Sequence, residues 1–332
     1  MFPLLWQYKD EVKTMAQAFF GGVHPNDMKA ATNEKAIEQL QAPAQVVIPM
    51  SMHFGAPCTP TVSKGDYVKL GQKIGEFKGL GAPIHASVSG TVAAVEPRPY
   101  SMGGKVMSVV IDNDFKDDLS EEVHAPADPD ALSVEEMVEM VKQAGIVGMG
   151  GATFPTHVKI SGGIGKVDTV IINGAECEPY VTSDNRMMLD HGEDIRRGIE
   201  ILKKYVHPDN FVFAIENNKP NAIAAMKELF ADDPTVSIIE LESSYPQGAK
   251  QMILYNALGK VVYAGQRLAT LGVIIINVST LAKVAKFMDT GMPLVDRVVT
   301  IDGSAIKEPK NLLVPIGTPY HYQLQATGGG FI

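Results

Sequence analysis

The sequence predicts an α/β protein with a mainly parallel sheet, a small all-β unit before it and the start of a second β unit after it. Three observations support this fold class. Strands and helices alternate between about residues 131 and 290, β-like runs separated by glycine and proline fill about 46–112, and short strands return beyond about 290. Strands interleaved with helices are typical of parallel sheets covered on both faces.

Length and composition limit the protein class. The chain has 332 residues, which suggests two or three domains at roughly 150 residues per domain. Hydrophobic residues make up 45% of it, as expected for a packed globular protein. Lysine and arginine total 29 against 38 acidic residues, for a net charge of -9. Nucleic acid is therefore not an expected partner, because phosphate binding needs a positive surface.

Only two cysteines are present, Cys58 and Cys177. They exclude a disulfide framework and indicate a reducing compartment. A [4Fe-4S] cluster needs about four thiolates, so the chain cannot hold one by itself and we expect no metal site. No apolar run reaches the roughly 18 residues of a membrane span, and the apolar start at Met1–Tyr8 lacks the cationic lead of a signal peptide. We expect a cytoplasmic protein, with a peripheral position on a membrane complex left open.

The first 45 residues show little periodicity and are predicted to form an arm that lies on another part of the protein. Turn glycines then separate β-branched residues in Val62–Gly75 and Ala86–Val92, which is typical of a small β unit. Their spacing, V-x-x-G-D-x-V-x-x-G-Q and A-x-x-S-G-x-V, resembles biotinyl/lipoyl-type barrel-sandwich domains. This resemblance implies such a domain at 46–112. In the carriers of that family a modified lysine lies at a hairpin tip.

The corresponding tip here is Phe77–Gly81, which lacks the Met-Lys-Met signature of the carriers. Lys78 is therefore interpreted as a surface lysine, with covalent modification as the alternative. An acidic, proline-containing linker follows at 112–130. Ser133 and Glu136 then form a predicted capping box, since each side chain can bind a free amide at the helix start.

The α/β region alternates regularly after that helix, which should end at Gly145. Strands are predicted at Val167–Ile172, Phe211–Ile215, Val236–Leu241 and Val273–Asn277, and helices at about Arg186–Tyr205, Asn221–Phe230, Gly248–Leu258 and Thr280–Met288. Short strands follow at Arg297–Ile301 and Leu312–Pro315. The chain stops at Gly328–Ile332 inside the small β unit that they begin, so we interpret the end as a truncation.

The most unusual segment is Gly145–Lys159, with four glycines in its first seven residues. Glycines let a backbone approach a ligand closely, and main-chain amides beside a helix start can face an anion. Lys159 would add a cation about one turn into that helix. The alternative is a tight connection with no ligand, since one glycine-rich loop is a weak signal.

A second cluster follows the predicted strand Val167–Ile172. Ligands of open α/β sheets bind outside the carboxyl ends of strands. Asn173 could pair with the edge of a planar heterocycle, and Glu176 and Glu178 could accept ribose or amide donors. An acidic surface turn is the alternative. Cys177 is not expected to be a nucleophile, because the acids on both sides raise the pKa of its thiol.

Four segments resemble the NADH-oxidising subunit of respiratory complex I. Gly-Met-Gly-Gly-Ala-Thr-Phe-Pro-Thr-His-Val-Lys at 148–159 is similar to its flavin loop, and Asn-Gly-Ala-Glu-Cys-Glu-Pro at 173–179 to its second flavin and nucleotide loop. Tyr245–Lys250 and Asn277–Leu281 fall where a third and a fourth loop are expected. The fold implied for 131–290 is a Rossmann-like FMN- and NADH-binding domain.

The N-terminal β unit, the lead Gly21–Pro25 and the segment Lys307–Leu312 resemble the C subunit of the Rnf electron-transport complex more closely. The likeness covers nearly the whole chain in the same order. It implies that 291–332 begins an SLBB-like β-grasp domain. It also implies an NADH dehydrogenase-type flavin oxidoreductase, part of an ion-translocating ferredoxin:NAD oxidoreductase, peripheral on the inner face of the cell membrane. Its partners would be other subunits of the complex and, indirectly, ferredoxin.

The resemblance also implies site residues. FMN would be held by Gly148, Gly150, Gly151, Ala152, Lys159, Asn173, Glu176, Tyr245, Gly248 and Asn277. NADH would meet Phe154, Glu178 and Lys250. The family's two [4Fe-4S] clusters lie in a C-terminal ferredoxin-like segment that we expect to be missing here. No catalytic acid or base is expected, and His157 is interpreted as structural.

The sequence departs from complex I at Ala175, Ala249, Lys250 and Ile276, which puts the nicotinamide contacts in doubt more than the flavin pocket. Two alternatives therefore stay open. One is a cofactor-free scaffold that docks partner subunits, and the other is a related flavin reductase acting on cobalamin or another acceptor.

Overall fold

The structure is a computed structural model that describes residues 21–128 and 131–329. The apolar start, the first part of the predicted arm, two linker residues and the last residues of the chain lie outside the described part. Within the described part the protein has a mixed α/β architecture with four sheets.

Two small antiparallel sheets make up the N-terminal β unit. One has the strand order β2-β8-β7-β4 and the other β3-β5-β6. Alternation along β2 buries Val46 and Ile48, which pack with Val109 and Ile111 of β8 in a shared core. After β1 (Ile37–Gln39), the strands of this unit are β2 (Gln45–Pro49), β3 (Thr59–Pro60), β4 (Tyr67–Val68), β5 (Lys73–Glu76), β6 (Ile84–His85), β7 (Gly90–Pro99) and β8 (Lys105–Asn113).

A four-stranded parallel sheet, ordered β11-β10-β9-β12, forms the centre of the second unit. Three of its strands, β9, β10 and β12, are largely apolar without alternation because both faces are covered, whereas the edge strand β11 contains the exposed Ser237 and Glu240. Ile172 packs on one face against α1–α5 and α7, whereas Ile171 packs on the other against α6. The elements are α1 (Val134–Gln143), α2 (Thr156–Gly163), β9 (Thr169–Asn173), α3 (Ser183–Asp190), α4 (Gly192–Val206), β10 (Asn210–Glu216), α5 (Pro220–Leu229), β11 (Val236–Leu241), α6 (Lys250–Leu258), a 3-10 helix (Leu268–Leu271), β12 (Val273–Asn277) and α7 (Val278–Thr290).

Two predictions about helices have different outcomes. The capping box at Ser133 and Glu136 is confirmed, since each side chain accepts the other residue's backbone amide. The single helix predicted over Arg186–Tyr205 is wrong, because it is two helices, α3 and α4. His191 leaves helical dihedral angles between them, and its Nδ1 lies 3.1 Å from the Asp194 carboxylate at the start of α4.

The last unit is a three-stranded sheet that contains a strand from the arm. Its order is β1-β14-β13, with β13 (Asp296–Ile301) antiparallel to β14 (Lys310–Pro315) and β1 parallel to β14. Leu40, Leu312 and Val314 form its small core, against which Tyr322 of α8 (Tyr320–Ala326) packs. The beginning and the end of the described chain therefore share one sheet.

Candidate functional site

The glycine-rich segment forms a closed loop between α1 and α2. Val147 and Pro155 face each other in an antiparallel bridge, and the Gly148 amide donates to the Phe154 carbonyl at 2.9 Å. Residues 149–153 therefore project as a tip. Gly151 lies there with a φ of 120°, in the left-handed region that favours glycine, and Ala152 beside it is exposed.

One side of this loop is fixed to the start of α7. The Met149 amide donates to Thr280 Oγ1 at 2.8 Å, and the Arg297 guanidinium of β13 donates to the Met149 carbonyl. A Cβ on Gly150 would lie 2.9 Å from Asn277 Nδ2. Glycine is therefore required at 150 by close approach to Asn277, whereas the tip at Gly151 has open space around it.

Asn277 joins the loop to a buried carboxylate. It caps α7, since its Oδ1 accepts the Thr280 amide at 3.1 Å, and its Nδ2 donates to Asp184 Oδ2 at 2.6 Å. Ser279 Oγ donates to the other oxygen of Asp184. Burial, and then the nearby Glu176, raise the pKa of Asp184 to about 7. A small cavity lined by Asp184, Ser279 and Arg297 lies behind Met149.

The second predicted loop begins where β9 ends. Asn173 is in register with Asn277 on the neighbouring strand β12, so the two asparagines lie side by side at the carboxyl edge of the sheet. The Asn173 side chain donates to the Gly248 carbonyl at 3.2 Å and accepts the Ala175 amide at 2.9 Å. The Gly248 amide lies 3.4 Å from Cys177 Sγ. The second and third loops are thus in direct contact.

The two acids of the second loop have different positions. Glu176 is buried and serves the start of α3, where its carboxylate accepts the Ser183 hydroxyl at 3.1 Å and the Asp184 amide at 2.8 Å. Glu178 is exposed, and its backbone carbonyl accepts Lys29 Nζ from the arm at 2.9 Å. Of these two carboxylates, only that of Glu178 faces solvent.

Lys159, in the first turn of α2, is half-buried and lies close enough to Lys250 at the start of α6 to be affected by its charge. Burial, and then Lys250, lower the pKa of Lys159 to about 8. Among the described residues, no carboxylate forms an ion pair with either lysine. Two neighbouring cations without an acid form an environment that attracts an anion.

The arm also contacts the third loop, and several contacts of the site were missed by sequence reasoning. Tyr245 pairs through its backbone with Val23 of the arm, at 2.8 and 2.9 Å. Lys29, Asp184 and Arg297 hold the loops but match no motif by spacing, because they reach the site from the arm, a helix and the last sheet. For the arm, the sequence offered one indication, the motif Gly-Gly-Val-His-Pro at 21–25, which resembles the Rnf C subunit.

The described part of the chain was also compared with what a membrane span and a metal site require. No helix in the described part of the chain is both long and apolar enough for a membrane crossing. Within residues 21–128 and 131–329, no three His, Cys, Asp or Glu side chains are placed to hold a metal ion.

Two protein-family models match the chain. The one described as the Nuo51 FMN-binding domain matches residues 141–286, and the one described as the RnfC barrel sandwich hybrid domain matches residues 17–116. The solved NAD+-reducing [NiFe]-hydrogenase in its air-oxidized state is similar in fold, with a TM-score of 0.50 and 19% identity over 59% of this chain and 39% of that one. These matches confirm the mixed α/β fold with an N-terminal barrel-sandwich unit.

Curated relatives match nearly all of the chain. The C subunit of the Na(+)-translocating ferredoxin:NAD(+) oxidoreductase complex of Acetobacterium woodii is 42% identical over 94% of this chain and 71% of its own length. The proton-translocating counterpart of Clostridium ljungdahlii is 43% identical over 95% and 69%. The C subunit of the ion-translocating oxidoreductase complex of Salmonella arizonae is 38% identical over 93% and 46%. The predicted resemblance is confirmed, and the chain belongs to the family of C subunits of Rnf-type ion-translocating oxidoreductase complexes.

Proposed function

We propose that this chain binds FMN and NAD(H) between the glycine-rich loop and the second and third loops, and passes electrons between NADH and iron–sulfur clusters. The observation that carries the proposal is the pair Lys159 and Lys250. Their two ammonium groups have no carboxylate partner in the described chain and suit phosphate groups, which we assign to FMN at Lys159 and to NADH at Lys250. The match of 141–286 to an FMN-binding domain supports FMN as the source of the phosphate at Lys159.

The glycine-rich loop and the second loop also suit a flavin mononucleotide and a dinucleotide. Gly151 and Ala152 offer an exposed tip whose backbone a ligand can approach, next to Gly150 and Asn277. Glu178 presents a solvent-facing carboxylate on the side proposed for NADH. When bound, a flavin accepts a hydride and releases its electrons one at a time. The protein's own residues bind and orient both groups, and none needs to act as an acid or base.

The finer fold and the domain limits are also part of this proposal. The β11-β10-β9-β12 sheet would be the Rossmann-like core of a domain at 131–290, after a barrel-sandwich domain at 46–112. The β1-β14-β13 sheet with α8 would be part of an SLBB-like β-grasp unit that begins near 291.

The electron route beyond FMN is proposed from the relatives, whose names include ferredoxin and NAD(+). This sequence has only two cysteines, Cys58 and Cys177, whereas one [4Fe-4S] cluster needs about four thiolates. The two [4Fe-4S] clusters implied by the family resemblance would therefore need cysteines other than these two. We propose that the subunit lies peripherally on the cytoplasmic face of a membrane complex.

Flavin binding tests the proposal directly. Titration of FMN with the protein should give saturable quenching of flavin fluorescence. Lys159→Ala should weaken FMN by about 1–3 kcal/mol, the scale of a lost charge-assisted contact. Lys166→Ala, which removes an exposed lysine just beyond α2, should leave FMN affinity unchanged. Equal affinity in Lys159→Ala and the unaltered protein would contradict the assigned phosphate position.

One observation favours a second candidate, a scaffold without cofactor. The side chains of Asn173 and Glu176, both expected at the flavin, are already bonded to the protein's own backbone. Absence of any fluorescence quenching in the same titration would select this candidate.

A further inference from the structure

A loop of the N-terminal β unit touches the glycine-rich loop. Phe54 lies between β2 and β3, and its backbone amide donates to the Thr153 carbonyl at 3.1 Å. The rings of Phe54 and Phe154 are 5.8 Å apart between centroids and tilted by 35°. Two aromatic side chains from different units of the chain are thus brought together at the tip of a proposed ligand loop.

The backbone around Phe54 is held in place by contacts with Leu80. The Ala56 amide donates to the Leu80 carbonyl at 3.0 Å, and a Cβ on Gly55 would lie only 2.1 Å from that carbonyl oxygen. The loop is therefore pressed against the hairpin tip Phe77–Gly81, where carriers of the barrel-sandwich class have their lysine. Phe77 of this tip also faces His157 of α2, with 6.5 Å between ring centroids.

Exposure distinguishes Phe54 from a side chain that only joins two units. It is 58% exposed, although it already contacts Phe154. A phenylalanine that served docking alone would gain stability by burying that area, since each Å² of apolar surface removed from water contributes about 25 cal/mol. The free face of Phe54 instead remains open beside the half-buried Phe154.

The chemistry of this place fits a flat, uncharged aromatic ring. Tilted rings at 4.5–7 Å are an ordinary aromatic arrangement, and a heterocyclic base can stack on such a pair. Asn277 approaches the loop at Gly150, whereas Phe54 contacts it at Thr153, beyond the proposed flavin contacts Gly150, Gly151 and Ala152. The next residue is Phe154, which the family resemblance assigns to NADH, so the base of the dinucleotide is the aromatic ring that this pair suits.

We propose that the N-terminal β unit contributes Phe54 to the dinucleotide site, where its ring stacks with Phe154 on the adenine of NADH. This assignment rests on the proposed function. The β unit would then be part of the binding site as well as a structural neighbour of the flavin domain.

The test measures, on FMN-loaded protein, the binding of NADH and of its two parts. ADP-ribose contains the adenine without the nicotinamide, and reduced nicotinamide mononucleotide contains the nicotinamide without the adenine. Phe54→Ala should weaken NADH and ADP-ribose by about fivefold to fiftyfold, the scale of a lost base–aromatic stack. Reduced nicotinamide mononucleotide, which has no adenine, should bind as before. Phe54→Leu should behave like Phe54→Ala, and Phe54→Trp should restore affinity, because stacking requires an aromatic face.

The control is Phe115→Ala, since Phe115 is 56% exposed and follows β8 at the other end of the β2–β8 pair. Phe115→Ala should change neither the affinity for NADH nor the affinity for ADP-ribose. Unchanged ADP-ribose binding in Phe54→Ala would overturn the assignment, as would full rescue by leucine, which indicates docking alone. A joint loss of FMN affinity and thermal stability would also overturn it. If the unaltered protein binds neither FMN nor NADH, the proposed function fails and this assignment fails with it.

Discussion

Asp184 is a buried carboxylate whose ionisation should make stability depend on pH. Burial, and then Glu176, raise the pKa of its carboxyl to about 7, well above the value near 4 of an unfolded chain. The folded state therefore binds the proton more tightly than the unfolded state between these values. The stability that this proton contributes is complete below about pH 4 and is lost as the pH rises through 7.

Asp184→Asn should remove this pH dependence, because the amide keeps partners for Asn277 and Ser279 without titrating. Between pH 5 and 8 the free energy of unfolding of the unaltered protein should fall more than that of the variant, by on the order of 1 kcal/mol for each unit of pKa shift, and its thermal midpoint should fall with it. Calorimetry at several pH values measures the difference. Asp232→Asn, at an exposed position, serves as the control and should follow the unaltered protein. Parallel curves for Asp184→Asn and the unaltered protein would refute the assignment.

The sequence motifs named candidate site residues but not the residues that support them. Gly150 was named from the density of glycines as an FMN contact, which stays a prediction, and the structure shows a separate need for glycine there, which is the close approach of Asn277. Lys159 was predicted from its place one turn into a helix. Asp184 and Arg297 could not be predicted, because a buried charge is recognisable only by its partners, here from α7 and the glycine-rich loop.

At the scale of elements, the arm holds the loops in place. Lys29 Nζ donates to the carbonyls of Glu178 and Val181, and the Tyr180 amide donates to the Asp27 carbonyl at 2.8 Å. Lys29 is only 4% exposed, so its ammonium group is nearly removed from solvent and burial lowers its pKa. The arm therefore fixes the conformation of the second loop, which contains the proposed NADH-facing carboxylate.

Lys29→Met should loosen this loop, because two carbonyls lose a charged donor, at a cost of about 1–3 kcal/mol. Hydrogen exchange of the Tyr180 amide should accelerate by roughly tenfold or more, since 1.4 kcal/mol corresponds to a factor of ten. Lys35→Met is a matched control, as Lys35 is an exposed arm lysine that donates to the Pro309 carbonyl at 2.8 Å. Protection of Tyr180 that is the same in both variants would show that Lys29 does not hold the loop.

Elements with a strong apolar pattern were predicted well, and elements fixed by distant partners were not. The central strands β9 and β12 are nearly continuous apolar runs, so they were predicted to within a few residues. The short strand β1 has no such pattern, since it exists by pairing with β14, more than 270 residues away in the sequence. The break at His191 was missed because helical spacing continues through it.

At the scale of the whole molecule, the order of units along the chain was predictable, but their attachment was not. Asn311 of β14 lies where the arm, the flavin-binding unit and the last sheet meet. Its side chain is completely buried, donates to the Thr32 carbonyl at 2.9 Å, and lies within hydrogen-bond distance of the Thr182 and Thr300 hydroxyls. A motif search finds each unit separately, whereas this residue connects three of them.

Asn311→Leu should therefore destabilise the molecule as a unit. The leucine is similar in size but leaves the Thr32 carbonyl and the Thr182 hydroxyl short of partners, at a cost of about 1–3 kcal/mol for each buried group left unsatisfied. Calorimetry should show one unfolding transition moved to lower temperature, because the arm and the last sheet are held against the flavin-binding unit. Asn221→Leu, at an exposed position of α5, should leave the transition nearly in place. If Asn311→Leu instead split the transition and left the larger part at its original temperature, the last sheet would be an independent folding unit.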